Sequence, residues 1–238
     1  TAAGTVIVKS VSNAASLTLV GSTLYFTGAD PTYFSTELWK SDGTTAGTTL
    51  VKDIYPGSGS SNPTSLTAVG SKLFFVANDG TTGPELWSSD GTAAGTAIVK
   101  DIFPSSGSSP GDPSSLKAVG SKLFFTAYEW QLGYGTELWV SDGTAAGTTV
   151  VKDIYPGSAG SSPGAFTAMG SRLFFTAYSP TAGTECWVSD GTAAGTNLIK
   201  DITAGSQSSA DSASPLAIGS TVYFNALSGG DDGLWRTD

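Results

Sequence analysis

The sequence contains no histidine and only one cysteine, Cys186, among its 238 residues. Without histidine, a Ser-His-Asp type of nucleophilic triad and a His-ligated zinc site are both excluded. A single cysteine cannot form an intrachain disulfide, so we expect the hydrophobic core to stabilise the fold. Cys186 is predicted to be a small buried hydrophobic residue rather than a reactive thiol.

Charged residues are scarce as well, at 13% of the chain, and their net charge is −9. Nucleic acid and anionic membranes are bound by basic stripes, which eleven Lys and Arg residues against twenty Asp and Glu residues do not provide. No apolar run approaches the roughly 20 residues of a membrane-spanning helix. The sequence therefore predicts no nucleic-acid partner and no membrane insertion.

The dominant feature of the chain is a repeated segment that reads "ELWVSDGTAAGTTVVKD" in its third copy. The four complete copies begin at Glu37, Glu85, Glu137 and Glu185. A fifth copy is split, because the chain ends in "GLWRTD" at Asp238 and begins with "TAAGTVIVKS" at Thr1. The aspartate of the "SDGT" motif recurs at intervals of 48, 52, 48 and 48 residues, which is typical of the blades of a propeller.

Each repeat predicts four short β-strands and no helix. The segments are rich in β-branched and aromatic residues and are bounded by Gly, Ser and Pro. Gly70-Ser71 is predicted to connect a hairpin, and Asp90-Gly91 suits a tight reversal with positive φ. In the second copy the strands are predicted at 65–69, 72–78, 85–90 and 96–102.

These patterns predict an all-β fold, a five-bladed β-propeller of four-stranded antiparallel blades that forms one domain over residues 1–238. The split repeat indicates that Thr1–Ser10 supplies the outer strand of the last blade. Pairing of Thr5–Ser10 with Leu234–Asp238 would close the ring and remove its exposed edges. The strand equivalent to 65–69 is then innermost.

The repeat resembles the bacterial ELWxxDGT-repeat proteins, whose motif is spelled here by Glu37-Leu38-Trp39 and Asp42-Gly43-Thr44. The resemblance covers essentially the whole chain, with Cys186 in place of Leu and Gly233 in place of Glu. It implies a secreted or cell-surface bacterial protein, here in its processed form, and it identifies no catalytic residue. In blade number and repeat length the chain is also similar to the tachylectin-2 type of five-bladed lectin.

Residues that recur in every repeat are predicted to serve folding. One Trp per repeat is expected in the core between blades, and the "SDGT" aspartates are expected to bond the amides of their own turns rather than a metal. Each repeat glutamate is predicted to form a cross-strand ion pair with the repeat lysine, as Glu37 would with Lys52. Equivalent glutamates around a ring do not supply the asymmetric acid and base of a glycosidase. We expect no enzyme, no catalytic residue and no cofactor.

The copies differ mainly between the second and third strands, at 28–36, 78–84, 128–136, 178–184 and 225–233. Variable loops on a rigid scaffold are typical of binding surfaces. Aromatic rings beside acidic and amide groups favour a carbohydrate site, although the same rings could pack over the blade edges. The predicted ligand-binding residues are Tyr33, Phe34, Tyr128, Glu129, Trp130, Tyr134 and Tyr178.

The first functional hypothesis is a secreted binding or adhesion module that holds a glycan or another cell-surface ligand. The second is a structural module of a surface layer, filament or adhesin that self-associates. The third is calcium-dependent adhesion, for which Asn78-Asp79-Gly80 and Asp231-Asp232-Gly233 are the nearest approach to a calcium loop.

Overall fold

A computed structural model describes residues 4–29, 32, 34–102, 104, 113–129, 131, 133–210 and 213–238. Over these residues the chain forms strands and turns, and it contains no helix that could cross a membrane. The strands are β1 (Ser12–Val20), β2 (Thr23–Ala29), β3 (Thr36–Ser41), β4 (Thr49–Lys52), β5 (Thr64–Val69), β6 (Lys72–Asn78), β7 (Pro84–Ser89), β8 (Ala97–Lys100), β9 (Ser114–Val119), β10 (Lys122–Glu129), β11 (Gly135–Ser141), β12 (Thr149–Lys152), β13 (Gly164–Met169), β14 (Arg172–Ser179), β15 (Gly183–Ser189), β16 (Asn197–Lys200), β17 (Leu216–Ile218), β18 (Thr221–Ser228) and β19 (Asp231–Thr237).

The strands form five antiparallel sheets in which each strand pairs with its neighbours in sequence. We number these sheets 1 to 5 along the chain. Sheets 1 to 4 have four strands each, in the order first to fourth, and sheet 5 consists of β17, β18 and β19. The all-β class and the four-strand repeat are thus confirmed. In sheet 2 the bounds of β6 are the predicted ones, and every other strand end lies within one residue of its predicted position except the end of β8, which comes two residues early.

The turns follow the predicted backbone chemistry. Gly70 has a φ of 58° in the connection between β5 and β6, and Gly91 has a φ of 89° after the "SD" of sheet 2. Both conformations are easily adopted by glycine, which has no Cβ. The same two glycines recur with the same sign of φ in sheets 1, 3 and 4.

The first strand of each four-stranded sheet carries a bulge that the sequence did not reveal. In β5 the pairing with β6 shifts between Thr64 and Thr67, and Ser65 between them has a φ of 55°. A bulged residue in the left-handed region bends its strand and increases the local twist. Counted back from Gly219 as Ser65 is from Gly70, the corresponding residue of sheet 5 is Ser214, which has no positive φ and is followed by Pro215. Strand β17 begins just after it and has three residues without a register shift.

The chain divides into two compact units, Thr1–Ser109 and Pro110–Asp238. The first unit holds sheets 1 and 2, and the second holds sheets 3, 4 and 5. Inside each unit, neighbouring sheets pack face to face through buried apolar side chains. A single domain over the whole chain remains a prediction.

Four of the repeat tryptophans are buried. Trp39, Trp87, Trp139 and Trp187 are all at most 8% exposed, and each one stacks beside a phenylalanine of the second strand. Trp87 packs in the core between sheets 1 and 2 and Trp187 in the core between sheets 3 and 4. The predicted role between neighbouring sheets is confirmed for Trp87 and Trp187.

The predicted pairing of Thr5–Ser10 with Leu234–Asp238 does not appear in the described structure. Residues 4–11 adopt no strand, and sheet 5 has no fourth strand among the described residues.

Candidate binding surface

The connections between the second and third strands are shorter than the sequence predicted. In sheet 3 the β10–β11 ladder continues through Tyr128, which faces Thr136, to Glu129, which faces Gly135. Gly135 has a φ of 65°, so the chain can turn immediately at the end of this ladder. Tyr128 and Glu129 therefore lie on a strand rather than in a loop, which corrects the predicted loop bounds. Tyr178 likewise lies in β14.

These connections lie at the same end of their sheets as the long crossings that lead from one sheet to the next. In the first unit, the Asn78 amide donates to the Ser61 carbonyl at 3.0 Å. In the second unit, the Tyr178 amide donates to the Ser161 carbonyl at 2.8 Å. The backbone of these two crossings is thereby bonded to the next sheet, and we call this end of the sheets the variable end.

Aromatic side chains at the variable end partly serve packing. The Tyr178 ring lies 5.3 Å from the Tyr155 ring, which belongs to the preceding crossing. In the first unit Tyr55 covers the turn at Gly80, where an added Cβ would lie 2.5 Å from the tyrosine ring. Tyr178 is therefore half-buried in a structural contact, in agreement with the packing alternative.

The other predicted ligand-binding residues divide by exposure. Glu129 is buried, whereas Tyr128 and Tyr134 are half-buried. Tyr33 and Trp130 lie outside the described residues. The burial of Glu129 disagrees with its predicted role as an exposed partner of sugar hydroxyls, because its position in the β10–β11 ladder encloses it.

Phe34 is the predicted residue that is most open to solvent. Its side chain is 76% exposed, and its φ of 58° is a rare backbone conformation for a bulky residue. The next residue, Ser35, is buried, so the chain returns directly into the sheet. The loop thus holds an aromatic ring in solvent in a strained conformation, a combination that occurs at ligand-contacting sites.

The calcium-loop candidate at Asp79 is a hydrogen-bonded turn. Asp79 Oδ1 accepts from the amides of Thr81 and Thr82, each at 2.8 Å, and Gly80 N donates to Asn78 Oδ1 at 2.7 Å. Burial tends to raise the pKa of Asp79, but the hydrogen bonds from Thr82 and Thr81 hold it below 3.8. Over the described residues, no three or more acidic or thiol side chains cluster as metal ligands would.

The opposite end of the sheets is nearly invariant. Asp42 Oδ1 accepts from the amide and hydroxyl of Thr44, and the Thr44 hydroxyl accepts from the Gly47 amide. Ser41 Oγ lies 2.7 Å from Thr48 Oγ1 and closes the turn. Sheets 2, 3 and 4 repeat this network at Asp90, Asp142 and Asp190. The predicted turn role of these aspartates is confirmed.

The predicted ion pair between Glu37 and Lys52 was wrong. Glu37 is fully buried, and its carboxylate accepts from Ile54 N at 3.0 Å, Ser61 N at 2.9 Å and Ser61 Oγ at 2.5 Å. Lys52 instead donates to the Thr96 carbonyl of the next sheet at 2.8 Å and lies over Trp87. The reason is the bulged register of the third and fourth strands, which pairs Leu38 with Lys52.

Sequence reasoning missed the serines that bind these glutamates. Ser61, Ser161 and Ser209 are buried, and each hydroxyl donates to the repeat glutamate 24 residues earlier. Burial raises the pKa of the glutamates, while the hydrogen bonds from these serines oppose that shift. The constant separation of 24 residues could have identified these serines, but the crossings contain several other serines from which they could not be distinguished.

No family model and no curated protein matches the chain. Solved structures that are similar include a putative TolB from Agrobacterium tumefaciens, at 11% identity and a TM-score of 0.47 over 95% of this chain and 77% of that one. Others are the β-propeller domain of the Trilobed protease from Pyrococcus furiosus (12%, TM-score 0.39, 96% and 83%) and a puromycin-hydrolyzing peptidase from Mycobacterium tuberculosis (13%, 0.49, 93% and 38%). This chain covers 25% of one similar prolyl endopeptidase structure. Similarity of this degree does not extend to the function of the chain.

Proposed function

We propose that the protein is a non-enzymatic binding or adhesion module of the cell exterior, which holds a glycan at its variable end. The observation that carries the proposal is Phe34, a ring that is 76% exposed on a backbone with a φ of 58°. The resemblance to ELWxxDGT-repeat proteins supports a secreted or cell-surface location.

The contrast between the two ends of the sheets supports the same function. The Asp–Gly turns at one end repeat one hydrogen-bond network, whereas the variable end differs in sequence from sheet to sheet. Aromatic rings offer an apolar face to the C–H groups of a sugar, and their polar neighbours bind hydroxyls. Several weak sites on one module would gain strength through multivalency.

A glycan array with the purified protein tests this proposal, using Phe34→Ala, Tyr33→Ala and Trp130→Ala beside the parent chain. Leu17→Ala is the matched control, because Leu17 is 67% exposed but lies in β1, away from this loop. We expect a defined sugar to bind the parent and the control, and Phe34→Ala to weaken that binding at least about tenfold. Binding that survives all three aromatic substitutions would reject the site.

Calcium is a separate alternative within the same proposal. A calcium-dependent module would lose thermal stability when a chelator removes the ion. The array and a thermal melt are therefore run with calcium and with chelator. An unchanged melting temperature and unchanged binding would rule out the calcium-dependent form and leave the glycan proposal without a cofactor.

We also propose that the five sheets form a closed five-bladed propeller, with Thr5–Ser10 as the fourth strand of sheet 5. The support is Lys9, which repeats on sheet 1 the contacts that Lys52 makes on sheet 2. Lys9 Nζ donates to the Thr48 carbonyl at 2.7 Å and lies 5.9 Å from the Trp39 ring centre. Lys52 Nζ donates to the Thr96 carbonyl at 2.8 Å and lies 5.7 Å from Trp87. Residues 4–11 thus occupy the position of a preceding fourth strand.

A disulfide tests this closure. In sheets 1 to 4, the residue after the repeat Trp pairs with a residue of the fourth strand. That partner always lies three positions before the repeat Lys; in sheet 1, Lys40 pairs with Thr49. By the same register Arg236 would face Val6. We expect oxidised Val6→Cys/Arg236→Cys, made with Cys186→Leu, to form an intrachain crosslink; its absence would reject the pairing.

A structural role in assembly is the second candidate function. Leucine and isoleucine side chains of sheets 1 and 5 are more exposed than the side chains at the corresponding positions of the other sheets. Contiguous exposed apolar residues of this kind mark protein interaction surfaces. Sedimentation of the parent chain at rising concentration separates the two functions, because a glycan-binding monomer keeps a constant mass.

A further inference from the structure

Neighbouring sheets in each unit pack through two complementary sets of side chains. We call the first set the projecting face, which in sheet 1 consists of Val20, Tyr25, Leu38, Val51 and Ile54. The second set is the receiving face, which in sheet 2 includes Leu73, Phe75, Ala77 and Trp87. All nine side chains are buried in one core. Sheets 3 and 4 repeat the arrangement at the corresponding positions, with Phe124 in place of Tyr25.

The receiving face of sheet 1 is only half covered. Val8 and Val11 occupy the places that Val51 and Ile54 take on sheet 2, and a Cβ added to Gly28 would lie 2.5 Å from Val11. Among the described residues of the first unit, none takes the places of the other three projecting residues. A pocket lined by apolar side chains remains there, and Leu17 and Leu19 are 67% and 62% exposed.

Sheet 5 carries the three missing residues. By repeat position, Ile218, Tyr223 and Leu234 correspond to Val20, Tyr25 and Leu38. Ile218 is 63% exposed and Leu234 is 81% exposed, whereas Val20 and Leu38 are buried. The side chains that fill a receiving face are thus present in sheet 5, where Ile218 and Leu234 are exposed and Tyr223 is half-buried.

We infer that the projecting face of sheet 5 docks on the receiving face of sheet 1 of a second copy of this chain. The inference rests on the assembly candidate above and identifies its partner. Each docked pair would reproduce the core found between sheets 1 and 2, which is an interface that this sequence already forms. The occupant is a copy of the same repeat, because its side chains match the vacant places one by one.

Closure of one chain and docking of two chains use the same contacts, so they compete. A ring is favoured by the high effective concentration of two ends of one chain, and docking is favoured by high protein concentration. The docked faces are different on the two partners, so the contact is head-to-tail and can add further copies. The inference therefore predicts a mass that rises with concentration.

Mixed single-cysteine copies test the inference. One copy carries Val6→Cys and the other Arg236→Cys, both with Cys186→Leu, and the mixture is oxidised at rising concentration. Opposite residues of paired antiparallel strands hold their Cβ atoms about 5 Å apart, which is close enough for a disulfide to form after a small adjustment. We expect the mixed dimer to exceed the dimers that each copy forms alone, and to increase with concentration.

Two leucine variants provide the control. Leu234→Ser removes a projecting side chain that is already exposed, so folding is retained, and we expect the mixed dimer to fall about tenfold or more. Leu227→Ser changes another exposed leucine of the same sheet outside the projecting face, and should leave the yield unchanged.

Other results would overturn the inference in distinguishable ways. An intrachain crosslink in the double-cysteine chain without any mixed dimer would reject docking and support the closed ring. The absence of both crosslinks would reject docking and closure together. Neither result bears on glycan binding, which the array tests by itself.

Discussion

At the residue scale, the invariant turn is held by one carboxylate and one glycine. Asp42 bonds Thr44, and its carboxylate lies against the Cα of Gly47, where an added Cβ would be 2.0 Å from Oδ1. Gly95, Gly147 and Gly195 meet their aspartates in the same way. The glycine is required here for space, since none of the four has the positive φ that glycine usually supplies.

Gly47→Ala is therefore expected to destabilise the protein by about 2 kcal/mol, because the new methyl group must displace the carboxylate from its hydrogen bonds. Urea unfolding measures the loss. Gly164→Ala is the control, since its Cβ would meet only Thr176 Oγ1 at 3.5 Å and its φ is not positive. Equal losses in the two variants would contradict the steric explanation.

The ionisable residues predict an optimum of stability near pH 4. Burial raises the pKa of Glu37 above 4.5, so the folded state retains that proton and the free energy of unfolding falls as pH rises through this window. Hydrogen bonds from Thr44 lower the pKa of Asp42 below 3.8, so the free energy of unfolding falls as pH drops through that lower window. We expect the maximum between 3.8 and 4.5.

Urea unfolding between pH 2 and 7 checks this expectation, with Glu37→Gln and Asp42→Asn as paired variants. The first should reduce the slope only above pH 4.5, and the second only below 3.8. Stability that rises steadily from pH 4 to pH 7 would show that the buried glutamates do not control this range.

At the element scale, the long crossings that follow sheets 1, 3 and 4 are each fixed to the sheet before them through a buried glutamate. Glu37 bonds the backbone at Ile54, where the crossing begins, and at Ser61 near its end. Sheet 3 repeats the arrangement, with Glu137 bonded to Ile154 and Ser161. The conformation of a loop rich in Ser and Gly is thereby set by one side chain of the third strand.

Ser61→Ala is expected to destabilise the protein by about 1.5–3 kcal/mol, because it removes a hydrogen bond to a buried carboxylate. The loss is measured by urea unfolding at pH 7. Ser60→Ala is the neighbouring control, whose hydroxyl accepts only from the half-buried Thr36 amide among the bonds found here. A larger loss in the control would argue against the Glu37 anchor.

The positions of most strands and turns could be predicted from the local sequence, but the side-chain partners of their residues could not. Strands and turns follow from alternation and from the Gly at 70 and 91, which act within a few residues. The partner of Glu37 is Ser61, 24 residues away, and no rule of strand spacing selects it from the serines around it. The end of β10 was assigned to a loop because the repeat copies differ there, although the ladder continues through Tyr128 and Glu129.

At the scale of the whole molecule, the repeat is divided between the two ends of the chain. Residues 4–11 lie on sheet 1 as a fourth strand from a preceding sheet would, and sheet 5 ends at its third strand. The sequence predicted this division from the split motif. It could not predict the bonds of Lys9, because they depend on side-chain positions in another repeat.

Deletion of residues 1–10 should lower the melting temperature by several degrees, because it uncovers Phe26 and Trp39 and removes the Lys9 bond to Thr48. Fluorescence of Trp39 and dye binding should report the newly exposed face. Lys9→Met is the matched variant, which removes the charge and keeps the apolar stem. If it loses as much as the deletion, the apolar contacts of Val8 contribute little.

The contact between Asp42 and Gly47 also bears on how such a chain keeps its copies alike. A change of the glycine is harmful while the aspartate is present, and loss of the aspartate removes the reason for the glycine. The two positions are therefore coupled, and Gly47→Ala should cost much less in an Asp42→Ser background than in the parent. In each of the four copies, a substitution of the glycine alone is destabilising. We therefore expect a repeat to diverge first by a substitution of its aspartate.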